Sequence, residues 1–250
     1  MALSWSSRRK TLYYAVAGVI GFVLLFSLWR AFFVHTPTCF DGIQNGSELG
    51  IDCGGACKLI CQDTAKAPVV LWARSFETAP NTYAAAAYVQ NLNTGAGARA
   101  AAYSFQLFDS KNVLVVERDG VVDLPPAHTI PIIEAGIDVG NRTVARTLFS
   151  FSALPQWETI TAPIPALHLS QQKLSADGSR LSADIVNDSA QDASRTTVAV
   201  VLFDASGVAR AASKTVVPSL PRKSSKPIVF TWPGGTPGIV RAEMSILPAF

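Results

Sequence analysis

Two hydrophobic patterns divide the chain. From Thr11 to Val34 the sequence TLYYAVAGVIGFVLLFSLWRAFFV is apolar on every helical face, with Arg30 its one charge. The alternative is a buried core helix, but nothing else in the chain could surround so uniform an apolar stretch. The uncharged part, Thr11 to Trp29, is 19 residues, roughly 28 Å as a helix at ~1.5 Å per residue and close to the ~30 Å hydrocarbon thickness of a bilayer. This predicts a transmembrane helix over 11–34. Tyr13 and Tyr14 at one end, and Trp29, Phe32 and Phe33 at the other, occupy interfacial positions, and Arg30 can extend to the headgroups. From Ala67 onward the pattern changes to short β-branched and aromatic runs separated by turns. Ala101 to Phe108 ends in Asp-Ser-Lys-Asn before Val113–Val116, and Thr197 to Phe203 ends in Asp-Ala-Ser-Gly before Val208; each reads as a β-hairpin. Prolines 125, 126, 131, 221 and 227 are expected at run ends, where a strand loses no ladder bond. Ala84–Ala87 and Ala100–Ala102 could be helical, but Asn91, Gly95 and Gly97 between them favour strand–loop–strand. Thr94-Gly95-Ala96-Gly97 reads as a hairpin loop, since no helix pattern follows it as a nucleotide fingerprint requires.

The β region repeats itself. With residues 71–151 set against 167–247 at an offset of about 96, Leu71 meets Leu167 and Val89-Gln90-Asn91 meets Ile185-Val186-Asn187. Leu107-Phe108-Asp109 meets Leu202-Phe203-Asp204, and Leu124-Pro125 meets Leu220-Pro221. Conserved order at nearly constant offset implies two copies of one domain. The expected fold is mainly β: a single N-terminal transmembrane helix followed by two tandem immunoglobulin-like antiparallel β-sandwich domains. The expected divisions are a cytoplasmic N-terminus over 1–10, the membrane helix over 11–34, a cysteine module over 35–66, and sandwiches over 67–162 and 163–250.

Charge placement changes what the composition implies. The formal net charge is +3, but Arg8, Arg9, Lys10 and Arg30 fall within the first 34 residues, with no acid among them. Removing these four from the 21 basic residues leaves 17 against 18 acidic, so no bulk attraction for nucleic acid remains. The basic cluster before the apolar run places the N-terminus in the cytoplasm by the positive-inside rule. The apolar run is longer than the h-region of a cleaved signal, and no small-x-small site follows it, so it is expected to stay as an anchor. Everything after it is then extracytoplasmic.

Cys39, Cys53, Cys57 and Cys61 all fall just beyond the anchor. An even count in an oxidising compartment predicts two disulfides, with three pairings open. A zinc site lacks the usual C-x2-C knuckles here. Asp41, Asn45, Glu48 and Asp52 are interleaved with Gly42, Gly46 and Gly50; oxygen side chains among glycines make either a calcium loop or ordinary Asx turns. The string TCFDGIQNGSELGIDCGGACKLIC resembles a short extracellular cysteine module, C-x-D-G-x-x-N-x-x-E-x-G-x-D-C-G-G-x-C, of prokaryotic surface proteins. The resemblance covers residues 38–61 and implies a location rather than an activity. Phe105-Gln106-Leu107-Phe108-Asp109 is similar to the F-x-L-Y-D signature of bacterial extracytoplasmic β-sandwich domains, with Phe in place of Tyr, and Val200–Asp204 keeps its pattern without the first Phe. Phe105 and Leu107 share a strand face, and Asp109 can bond the turn backbone.

No catalytic constellation accompanies these modules. His35, His128 and His168 are isolated, and no His-Glu-x-x-His, phosphate loop or Gly-x-Ser-x-Gly occurs. Arg222-Lys223-Ser224-Ser225-Lys226 forms a basic loop tip, and Asn45, Asn141 and Asn187 stand in glycosylation sequons. The expectation is a non-enzymatic, membrane-anchored extracytoplasmic protein that binds or positions a protein or envelope polymer, a second copy of the chain included. The alternatives are a subunit of a larger envelope or secretion assembly held by the helix, and an enzyme with an unrecognised site.

Overall fold

The computed structural model describes residues 5–33, 37–161 and 165–247; His35 and the expected boundary at 162–163 lie outside them. The chain divides into two units, residues 1–57 and 58–250. The first begins with helix α1, Trp5–Phe33, which starts earlier than expected because Arg and Lys are good helix formers and carry it back through Arg8-Arg9-Lys10. Its segment Arg9–Ala31, 23 residues of mean hydropathy 2.0, is long and apolar enough to cross a membrane. Its large apolar side chains from Leu12 to Trp29 are all exposed. Residues 37–57 then form a turn-rich module.

The second unit is built from antiparallel strands. Those of the first sandwich are β1 (Val69–Ala79), β2 (Thr82–Gln90), β3 (Ala96–Phe108), β4 (Leu114–Leu124), β5 (Thr129–Asp138), β6 (Arg146–Phe151) and β7 (Trp157–Thr159). They form two facing sheets, β1-β2-β5 and β4-β3-β6, with β7 beside the start of β3. Strands β8 (Leu167–Leu174), β9 (Arg180–Asn187), β10 (Ala193–Asp204), β11 (Ala209–Leu220), β12 (Ser224–Thr231) and β13 (Ile239–Leu247) follow. Their sheets, β8-β9-β12 and β11-β10-β13, have the same order position for position. The last residues of β3 and β10 each carry a register shift against the following strand, at Leu107/Phe108 and Leu202/Phe203.

The alanine-rich run is strand, as Asn91 and Gly95 implied, and tertiary packing explains why Ala is used. Tyr83, Ala85, Ala87 and Val89 point into the first core with Phe105, Leu107, Ile132 and Trp157. The alternate Ala86 is equally buried on the other side of the same strand, with Phe76 and Ile133. β10 behaves likewise: Val198, Val200 and Leu202 enter the second core, while Ala199, Val201 and Phe203 join Ala86 and Ile133 in a seam between the sandwiches. A strand covered on both faces reads as a continuous apolar run without alternation, and this overrides the helix propensity of Ala.

Two corrections concern loops and prolines. Thr94–Gly97 is not in a hairpin, because β2 and β3 belong to different sheets and the segment carries the chain from one to the other. Pro131 and Pro227 lie inside β5 and β12 rather than at run ends. Both are edge strands, so a missing outward N–H breaks no ladder.

The repeated Asn and Asp do equivalent work in both sandwiches. Asn91, buried at 2%, donates through Nδ2 to the carbonyls of Ala96 (2.8 Å) and Pro125 (2.9 Å) and accepts at Oδ1 from Asn93 N–H. Asn187, at 0%, donates to Gln191 and Leu220 carbonyls and accepts from Ser189 N–H. Each amide fastens the sheet-crossing loop to the end of the fourth strand. Asp109 Oδ1 accepts Lys111 and Val113 N–H, and Oδ2 accepts from Arg142; Asp204 takes Ser206, Val208 and Arg210 in the same way. The backbone donor of Val113, then the Arg142 guanidinium, lowers the Asp109 pKa, and Val208 with Arg210 does so for Asp204. Asn187→Ala is expected to lower stability by about 1–3 kcal/mol, because two carbonyls lose their donor, that of Leu220 in a buried bond; a fall in denaturation midpoint checks this.

Candidate functional site

The cysteines are disulfide-bonded as expected. Cys39 pairs with Cys57 at a sequence separation of 18, Cys53 and Cys61 are bonded as well, and no cysteine is free. Closing a loop of that length contributes on the order of 3 kcal/mol on the chain-entropy model. The module has few core residues to do the same: Phe40, Ile43, Leu49 and Ile51 are all exposed. Gly55 fits only as glycine, since a Cβ there would stand 1.8 Å from the Ser47 carbonyl oxygen.

The four calcium candidates come together as turn formers. Asp41 Oδ2 accepts from Asn45 Nδ2 at 2.9 Å, and its Oδ1 accepts Ile43 N–H; the Asn45 bond, foremost, lowers the Asp41 pKa. Asp52 accepts the N–H groups of Asp41 and Gly42 at 3.0 Å, and Glu48 accepts that of Asn45 at 3.2 Å. Each carboxylate therefore already receives backbone donors, and Asn45 Oδ1 is buried without a partner. Among the sequons, Asn187 is wholly buried and committed to its clamp, whereas Asn141 is exposed in a turn. The basic tip is tied locally: Arg222 N–H donates to Asp192, and Lys223 Nζ donates to the Asp188 carbonyl. His168 Nδ1 lies 3.3 Å from Asp188, with both side chains exposed.

Residues 58–60 fasten to the first sandwich. Leu59 bridges Glu158 on β7, Ile60 N–H donates to the Trp157 carbonyl, and Lys58 pairs with Glu158 at 2.6 Å. This covers the outer edge of β7.

A cleft of about 360 Å³ lies between the two sandwiches. One wall is the open side of the first sandwich, with Val121, Val122 and Asp123 from β4 and Pro131 and Ile133 from β5. The other is the outer face of β10 and β11, with Arg195, Thr197, Lys214 and Val216. Cross-strand partners share a face, and Thr197 is partnered by Val216 on one side and Leu247 on the other, Ala199 by Lys214. This wall mixes basic Arg195 and Lys214 with Thr197, Val216 and Leu247. A polar chain crosses the cleft at one end: Tyr103 O–H donates to Glu134 Oε1 at 2.7 Å, and Lys214 Nζ reaches the same oxygen at 3.1 Å. Burial, then the Glu134 contact, pushes the Tyr103 hydroxyl pKa up. On the far side of the seam Tyr88 O–H donates to Glu243 at 2.9 Å while its ring stacks on Trp72.

The backbone is strained at the cleft. Ala100 has φ +47 and Arg195 φ +25, and both line it. Ala100 occupies the extra position where pairing steps from Ala98/Leu124 to Ala101/Val122, and its N–H donates to Asp123 Oδ1 at 2.8 Å. Arg195 falls between the pairs Ser194/Ser219 and Thr196/Val217, opposite Pro218, which has no N–H to offer. Non-glycine residues in this region cost energy and gather at functional sites.

No protein-family model matches the chain, and no curated protein matches it.

In the sequence, Ala100, Pro131 and Thr197 carry only strand and turn signals, and no cleft residue is marked as a binding residue. Lys214 and Glu134 are 80 positions apart, and no local pattern links them. Gly120 was equally silent. It leaves room for the Tyr103 ring on its way to Glu134, since a Cβ at Gly120 would meet that ring at 2.5 Å. Gly120→Ala is expected to lower stability by about 1–3 kcal/mol through displacement of a buried ring, read as a drop in melting temperature.

Proposed function

We propose that the chain is a single-pass, membrane-anchored protein of a prokaryotic cell envelope, with its N-terminus cytoplasmic and two immunoglobulin-like repeats outside. It binds or positions another protein or an envelope polymer, without catalysis. The observation that carries this reading is the cleft between the sandwiches. Its two walls come from different repeats locked together by a shared apolar seam, an arrangement that presents a fixed recess to a ligand.

The rest of the chain is consistent with that role. An apolar 23-residue helical segment, Arg9–Ala31, with Arg8, Arg9 and Lys10 clustered at its start supports anchoring and orientation. Disulfides support an oxidising exterior. The matching strand order, paired buried asparagines and paired turn-forming aspartates support a tandem duplication, and the last of these is the residue that ends the F-x-L-Y-D-like motif. Photocrosslinking in intact producing cells, with the reactive group placed at several exposed positions of both sandwiches, is expected to recover a discrete protein or polymer adduct. Recovery of none from any position, a second copy included, would remove the binding role.

A further inference from the structure

We propose that the free edge of β4 at Gly120–Asp123 takes an extended polypeptide segment of a partner protein, adding it as a strand and seating its alternate aliphatic and acidic side chains in the inter-sandwich cleft. The inference rests on the binding role proposed above and names its site and ligand class.

Three observations converge. The first is the edge itself. β4 pairs only with β3, so one row of its backbone N–H and C=O groups has no strand partner. Exposed edges recruit other strands unless proline, charge or a covering segment blocks them. Three other edges are blocked: β5 holds Pro131, β11 holds Pro218, and β7 is covered by Leu59. β4 holds no proline; Glu117, Arg118 and Asp119 guard its middle, but Gly120, Val121 and Val122 beside the cleft carry no guard. Val121 is 67% exposed.

The second is the opposite wall. A strand laid along Gly120–Asp123 sends every other side chain one way, and the wall facing it is the β10–β11 surface, where Val216 and Leu247 flank Thr197 and give contact for a Val or Ile side chain.

The third is charge. Lys214 is already neutralised by Glu134 at 3.1 Å, and Asp123 is engaged by the Ala100 N–H. Among the described residues Arg195 has no carboxylate partner, although it lines the cleft and is held there at φ +25. A cation kept in a strained backbone beside an apolar slot calls for an acidic group on the ligand, since Arg presents a fork suited to carboxylate.

The test uses the full chain in detergent micelles and fluorescently labelled Glu-Val-Glu-Val-Glu-Val as the probe, followed by anisotropy. Saturable binding is expected, weakened at least tenfold by Arg195→Glu and by Val121→Asp, unchanged by Lys226→Glu on the distant basic tip, and lost when Lys replaces Glu in the peptide. Arg195→Gly is expected to weaken binding in the same way with a melting temperature unchanged or raised, because glycine tolerates the positive φ; that combination separates ligand contact from a structural role. Absence of saturable binding, binding indifferent to both cleft substitutions, or decanoate binding the cleft in preference to the peptide would overturn the proposal. The binding role fails separately: an adduct captured only from positions away from the cleft would leave it standing without this site.

Discussion

The structure depends on two central strands that are buried on both faces. β2 and β10 each give one face to their own sandwich and the other to the seam, where Ala86 and Ile133 meet Val201 and Phe203. Burying a Val or Phe side chain contributes about 1.5–3 kcal/mol, so a seam with several of them outweighs the loss of independent motion between two small domains. Alanines let the strands approach, and Phe203 with Phe76 fills the remaining space. The cleft has two walls because of this docking, and Lys214 reaches Glu134 only while the sandwiches stay in contact.

Polar groups sharpen what apolar burial holds together. Two buried asparagines and two turn-forming aspartates occur at matching positions, and they fix loops that an apolar core alone would leave without register. The disulfide module solves the same problem differently. It has little core, so covalent closure and inward-facing Asp41, Glu48 and Asp52 order a segment whose large apolar residues stay outside.

Local patterns made much of this fold readable. The helix, the β class, both main hairpins and the oxidised cysteines followed from apolar run length, turn residues and cysteine count. The internal match of Asn91 with Asn187 and Asp109 with Asp204 anticipated positions that the structure shows to be equivalent clamps; turn chemistry already pointed to the Asp109 bonds, whereas nothing in the sequence revealed that the two asparagines would be buried. What escaped was non-local. The unbroken apolar runs Tyr83–Val89 and Val198–Phe203 signalled strands covered on both sides, but not what would cover them. Thr94–Gly97 looked like a hairpin because turn chemistry reports a reversal without saying which sheet receives the next strand. Pro131 and Pro227 looked like terminators because edge position is set by pairing partners far along the chain. Arg195 and Lys214 acquire meaning only after docking, and Gly120 only once β4 lies beside Tyr103.

The central claim is that the two sandwiches form one body through the seam. Hydrogen exchange of the full chain across a urea series, read on β3 for the first sandwich and β10 for the second, tests it most directly. The account predicts one shared midpoint, which splits into two when Val201→Asp places a charge in the seam. Separate midpoints in the unaltered protein would contradict it.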